Sequence, residues 1–197
     1  MANIFQNLQL QAFRAGITPR TKESRTWFAN KVKGLRSARI SREDLIEDGD
    51  VVIRSSPRAG SMYMYYYDPK HKDTLPFYDT FPLSIVVGPA EGGFYGLNLH
   101  YLPPVLRAKM LDQLLGNLTN KKYDDTTKFR ANYEVLQAYS GAPFYKATMK
   151  HYLRRNVRSR YAEVQPTEWE IATFLPTATW RKRTANYVYR DSRKKIA

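Results

Sequence analysis

The chain has 197 residues, 43% of them hydrophobic and 14% aromatic, with a net charge of +14. That apolar content suffices for one core and excludes wholesale disorder, and the absence of cysteine excludes disulfides and Cys-ligated zinc or iron–sulfur sites. So much positive charge repels itself unless anions neutralise it, which points to nucleic acid or acidic protein surfaces as partners.

Residues 1–42 hold nine Lys or Arg against one acid, Glu23. Ile4, Phe5, Leu8, Leu10 and Phe13 are spaced loosely as one helical face, and Thr26, Trp27, Phe28, Val32 and Leu35 allow a short amphipathic helix with Lys31, Lys33 and Arg36 on its wet side. Gly16, Pro19 and Gly34 break the segment. It reads as a basic N-terminal arm, ordered by a partner and making few contacts with the rest. Its start lacks the cationic head and long apolar stretch of a signal peptide.

Residues 43–142 reverse the balance, with thirteen acids against ten bases. Glu43 to Glu47 read as a short acidic turn. Asp48-Gly49-Asp50 turns into a strand over 51–54. Aromatic and Met-rich residues predict a second strand over 62–67, and Asp68-Pro69 opens a loop carrying Lys70, His71 and Lys72. Phe81 to Val87 is the most apolar strand candidate. Gly92-Gly93 turns into a strand over 94–99, in which Gly96 signals a bulge or bend. Pro103-Pro104 opens a helix reaching Leu115, with Val105, Leu106, Met110 and Leu111 on its apolar face and Arg107 away from it.

Further helices are expected over 129–139 and 143–155. Tyr161 to Gln165 predicts a strand returning to the sheet. Thr167 to Glu170 matches a capping box that starts a short helix ending before Pro176. The fold class is α+β: a small antiparallel SH3-like β-barrel with packed helices and extended basic N- and C-terminal arms. The expected division is 1–42 as arm, 43–180 as a single core domain and 181–197 as a basic tail.

No pattern points to catalysis, a metal or a cofactor. His71, His100 and His151 have no metal-ligand spacing, and His100 is expected to be a hydrogen-bonded, partly buried side chain. Lys70, His71 and Lys72 oppose a cation among Asp68, Asp73 and Asp79, so Asp68 and Asp79 read as turn residues. The signal lies in the bases. Arg154, Arg155, Arg158 and Arg160 stand beside Tyr152 and Tyr161, while Arg181, Lys182, Arg183, Lys194 and Lys195 surround Tyr187 and Tyr189. Cations for phosphates, interleaved with rings for exposed bases, suit nucleic acid; Lys31, Lys33, Arg36 and Arg39 extend the set. No apolar run approaches the roughly 20 residues of a membrane helix, so neither a membrane nor a small-molecule substrate is expected.

The segment MYMYYYDPKHKDTLPFYDTFPLSIVV and the segment GFYGLNLHYLPPVLRAKMLDQLL resemble a family of structural proteins of T-even-like contractile-tailed phages, including those of marine cyanobacteria. PFYKATMKHYLRRNV and EVQPTEWEIATFLP continue the resemblance more weakly, so that it covers roughly residues 50–180; the basic N-terminal segment matches no named family. Proteins of this family are labelled DNA end protectors. The resemblance implies a non-enzymatic virion protein, made in the host cytoplasm. It would bind the genome end near the head–tail channel, with double-stranded DNA and other phage structural proteins as partners. The alternative is a baseplate or tail-hub subunit whose arms clasp its neighbours. Gly49-Asp50-Val51-Val52 is superficially similar to toxin endoribonucleases, whose catalytic pattern is not visible here.

Overall fold

The computed structural model describes residues 4–35, 42–47, 51–115 and 143–196. Helix α1 (Ile4–Arg14) buries Phe5, Leu8 and Ala12, spaced three and four apart on one stripe. It stops where Gly16 takes φ +69, and Ile17 N–H then bonds back to the Ala12 carbonyl at 2.9 Å. Helix α2 (Lys22–Leu35) is capped by Thr21, whose hydroxyl accepts from Ser24 N–H while the Ser24 hydroxyl accepts from Thr21 N–H, both at 3.0 Å. Its buried stripe is Ser24, Phe28 and Val32. These side chains lie in the main core. The described part of the segment before Ser41, residues 4–35, therefore packs on the core and is not the loosely attached arm expected there. Their charge faces water and their apolar stripes pack inward.

After α3 (Arg42–Glu47), strands β1 (Val52–Arg54), β2 (Met62–Met64), β4 (Leu83–Ala90), β5 (Gly93–Asn98), β6 (Met149–Leu153) and β7 (Tyr161–Val164) form one antiparallel sheet in the order β1-β7-β2-β4-β5-β6. Strand β3 (Tyr78–Asp79) pairs separately with β8 (Trp180–Arg181). The anticipated strands over 51–54, 62–67, 83–87 and 94–99 thus share one sheet, and 161–165 does return to it. Among the described residues the sheet stays open, with β1 and β6 as its edges, so the barrel closure expected from the turn pattern is not seen. It curls instead: beyond β2 the chain runs on to Tyr67, which bridges Val157, and Arg158 N–H donates to the Tyr66 carbonyl at 2.8 Å. Nor are β1 and β2 neighbours, since β7 inserts between them.

Alternation gives the sheet two different faces. Met62, Met64, Leu83, Ile85, Leu97, Ala162 and Val164 face the core shared with the helices α1, α2, α4 (Pro104–Leu115) and α6 (Trp169–Phe174). Tyr63, Tyr65, Val86, Phe94, Tyr152 and Tyr161 form the other cluster. Phe94 and Tyr161 lie 6.0 Å apart, centroid to centroid, although β2 and β4 separate their strands, so the sheet is concave on this side.

Several other sequence readings are corrected. The helix expected over 143–155 is α5 (Pro143–Thr148) followed by β6. The irregularity expected at Gly96 falls on the partner strand, between Val86 and Gly88. Gly96 serves close approach: a Cβ there would lie 2.7 Å from Ser84 Oγ. Arg107 is 2% exposed, its guanidinium donating to the Leu102 and Thr173 carbonyls and to the Tyr189 hydroxyl. The capping box at Thr167 does not form; Glu170 is buried and accepts instead from Ser24 Oγ at 2.6 Å and Arg20 N–H at 2.9 Å. The C-terminal residues form α7 (Ala185–Ile196), anchored by buried Val188 and by Tyr189 on Arg107. The helix expected over 129–139 lies outside the described residues.

Candidate nucleic-acid interface

One loop joins the two basic clusters. Between Tyr67 and Phe77 the chain leaves the sheet, and both its ends are pinned. At one end Asp68 N–H donates to the Asn156 carbonyl at 3.0 Å, Asn156 Nδ2 returns a bond to the Asp68 carbonyl at 2.7 Å, and Arg158 lies 3.6 Å from the Asp68 carboxylate. Arg154, Arg155 and Asn156 form a 3-10 turn at this point, with both arginines exposed. At the other end Lys182, with φ 67, sends its ammonium to the Asp73 and Leu75 carbonyls at 2.8 and 3.0 Å. Exposed Arg181 and Arg183 flank it. Lys70, His71 and Lys72 occupy the loop between, and Lys72 pairs with Asp68. Two runs of bases more than twenty residues apart in sequence thus flank a third on one surface.

Beside this loop is a cleft of about 510 Å³. Tyr67, Phe77, Tyr78, Tyr101 and Tyr152 supply its aromatic wall; Lys70, Lys150 and Lys195 supply its positive charge, and His71 and His151 line it as well. The Lys150 ammonium sits 4.0 Å from the Tyr101 ring centroid and donates to the Ala147 carbonyl at 2.8 Å. Burial, with Lys195 nearby, lowers its pKa to about 8. His151 Nε2 donates to the Glu91 carbonyl at 2.9 Å. Tyr187 packs against Phe77 and is flanked by Arg183 and Arg190 at 5.1 and 5.5 Å.

Behind the cleft is a sealed polar network. Asp79 Oδ1 accepts from the Phe81 and Thr179 backbone N–H groups, each at 3.0 Å; Oδ2 accepts from Asn98 Nδ2 at 3.2 Å and His100 Nδ1 at 2.6 Å. His100 Nε2 meets the Thr177 hydroxyl at 3.1 Å. Burial pushes the His100 pKa down against the pull of Asp79, so the ring is neutral, donating to Asp79 and accepting from Thr177. Burial opposes the Asp79 charge, but its donors win and hold its pKa below the usual value. The Asp–His–Thr order resembles a nucleophile relay. Yet Thr177 is 1% exposed and no substrate reaches its hydroxyl, so the network holds β3, β5 and the chain before β8 together. Asp79 bonds the nearby Phe81 N–H as expected, but it lies in strand β3 rather than in a turn.

The other bases expected to act are placed as follows. Arg160 is exposed just before β7, and Lys194 on α7. Lys31 and Lys33 are exposed on α2, in the helical layer on the opposite face of the sheet, and are not brought to this surface. Arg36 and Arg39 lie outside the described residues. Sequence reading missed Lys150 and the pair His71 and His151. The signal was the Lys-His dipeptide occurring at both 70–71 and 150–151, but nothing in sequence brings those positions together.

The family model described as phage T4 terminal DNA protecting protein matches residues 1–195. The match includes the N-terminal segment as well as the sheet. No curated protein and no solved structure matches the chain.

Proposed function

The chain belongs to the phage T4 terminal DNA protecting protein family, and from that premise we propose that it binds the ends of linear phage DNA and shields them by occupancy. The observation that carries the reading is the pinned loop, which gathers Arg154, Arg155, Arg181 and Arg183 on one surface beside an aromatic, cationic cleft. Guanidinium groups neutralise backbone phosphates without reading sequence, as an end-binder requires. Rings beside the cations suit bases that unstack at a terminus. Shielding asks for no bond to be made or broken, so the role is structural. The same reading seats the protein at the genome end, near the head–tail channel of the particle. The baseplate alternative relied on free basic arms, and the described parts of those segments are helices packed on the core.

The test is protection. Linear duplex preincubated with the protein should resist an exonuclease, and linear duplex should compete for binding better than closed circular DNA of the same sequence. Equal competition by circles and unaltered digestion would reject end protection.

A further inference from the structure

We propose that the cleft beside the loop takes a terminal phosphomonoester of a DNA strand, with the attached nucleotide against the aromatic wall. The inference rests on the end-binding reading and states what chemical group marks the end. Its basis is a cavity built for an anion that is not provided by the protein. Lys150 has three donors and uses one, on the Ala147 carbonyl. No carboxylate among the described residues lies within ion-pair distance of it, and the Tyr101 ring faces it at 4.0 Å. The groups of α7 that face it are Lys195 and Asp191, and these pair with each other at 2.8 Å.

The one acid in the cleft wall is Asp79, and its two oxygens already accept four hydrogen bonds from inside the protein. The carboxylate of the cleft wall is therefore saturated, and that of Asp191, outside the wall, is held by Lys195. Its volume of about 510 Å³ falls in the range of small-ligand sites, roughly 300–1,000 Å³. A mid-strand phosphodiester carries one charge and has nucleotides on both sides. A terminal monoester carries nearly two charges at neutral pH and has one nucleotide attached. The second kind of group matches a cleft that sets the ammonium groups of Lys70, Lys150 and Lys195 beside aromatic rings. Burial keeps Lys150 short of water, so a phosphate that supplies acceptors gains more there than at an exposed lysine.

The experiment measures binding of short blunt duplexes, labelled internally, that differ only in bearing 5′-phosphate, 3′-phosphate or hydroxyl ends. One phosphorylated end should bind about tenfold tighter than the hydroxyl end, the scale of a charge-assisted bond. Lys150→Met should bring that ratio close to one, and Lys150→Arg should retain it. Lys195→Met, on the surface helix α7, should lower the ratio independently. The ratio should also shrink as pH rises above about 8, as Lys150 loses its proton. Equal affinity for all three ends, with the preference for linear over circular DNA intact, overturns the phosphate site and leaves end binding standing. No preference for linear DNA overturns the end-binding reading and this inference with it.

Discussion

Three ionisable residues removed from water, Asp79, His100 and Lys150, set much of the chain's response to pH. Asp79 is 3% exposed and fully hydrogen-bonded. Replacing it with Asn turns one accepting oxygen into an NH₂ group facing other donors and removes the partner of His100. Asp79→Asn should cost about 3–5 kcal/mol, read from denaturant melts near pH 7.5; a loss within experimental error would show the network to be dispensable. His100 and Asp79 both have folded pKa values below their ordinary ones. The unfolded chain then binds more protons, so stability should fall as pH drops below about 6.5, and again below about 4. Lys150 acts at the opposite end of the scale. Its folded pKa of about 8 lies below the ordinary 10.5. Unfolding therefore takes up a proton between these values, and stability should rise with pH across that window. Lys150→Met should accordingly melt at a higher temperature at pH 7, by an amount worth on the order of 2 kcal/mol, and the gain should vanish near pH 10. Unchanged melting at pH 7 would mean that the ammonium is better hydrated than its surroundings suggest. A charge held at a cost to the fold is what a ligand site retains.

At the level of elements, β6 shows how local pattern and tertiary context compete. Phe144, Tyr145, Met149, Tyr152 and Leu153 fit a helical stripe, yet the helix ends at Thr148, whose hydroxyl bonds back to the Phe144 carbonyl at 3.0 Å. The next five residues enter a slot along β5. The slot exists because Gly93 has no side chain: a Cβ there would stand 1.8 Å from the Tyr152 carbonyl oxygen. Tyr152 then contributes to the tyrosine cluster, 5.5 Å from Tyr65 and 4.9 Å from Tyr67. The same competition explains the N-terminal helices. Their stripes are only three residues long each, too weak to fix them alone, but they find apolar partners and the carboxylate of Glu170. Phe28→Ala should cost about 3–5 kcal/mol and do so in a single cooperative transition. A separate early transition, or no effect, would restore the picture of a detached segment. Amide exchange in α1 and α2 should be slow in the isolated protein for the same reason.

For the molecule as a whole, the net charge is +14, and the exposed bases of the described residues include one group on the helical layer and another around the loop. The second group surrounds the cleft with Lys70, Lys150 and Lys195, whereas the hollow on α2 holds Lys22 beside the acid Glu23. Arg158 and Lys182 are partly committed to Asp68, Asp73 and Leu75, and Arg183 to the Lys182 carbonyl and the Tyr187 ring, which leaves Arg154, Arg155, Arg160 and Arg181 as the freest phosphate ligands of the two clusters. With four phosphate contacts, log affinity for duplex DNA should fall with log salt at a slope of about −4, and Arg154→Ala with Arg155→Ala should reduce its magnitude by about 2. Replacing Lys31 and Lys33 should leave the slope nearly unchanged. A slope insensitive to the arginines, or no binding at ~50 mM salt, would move the DNA surface elsewhere.

Local pattern was enough for β1, β2, β4, β5 and β7, for the helix after Pro103-Pro104, for the absence of disulfides and for the polarity of the charge, because each depends on residues close along the chain; it was not enough for β3, β6 and β8. The sequence also carried the family, through segments of aromatic and turn residues. It did not show that β7 would separate β1 from β2, that Arg107 would be buried against the Thr173 carbonyl, or that Asp79, His100 and Thr177 would meet. Nor did it bring Lys150 and Lys195 together with Lys70 and His71 in one cleft. Those arrangements join residues tens to more than a hundred positions apart. Their free energy comes from shared burial and from satisfying polar groups removed from water, terms that exist only once the chain has folded.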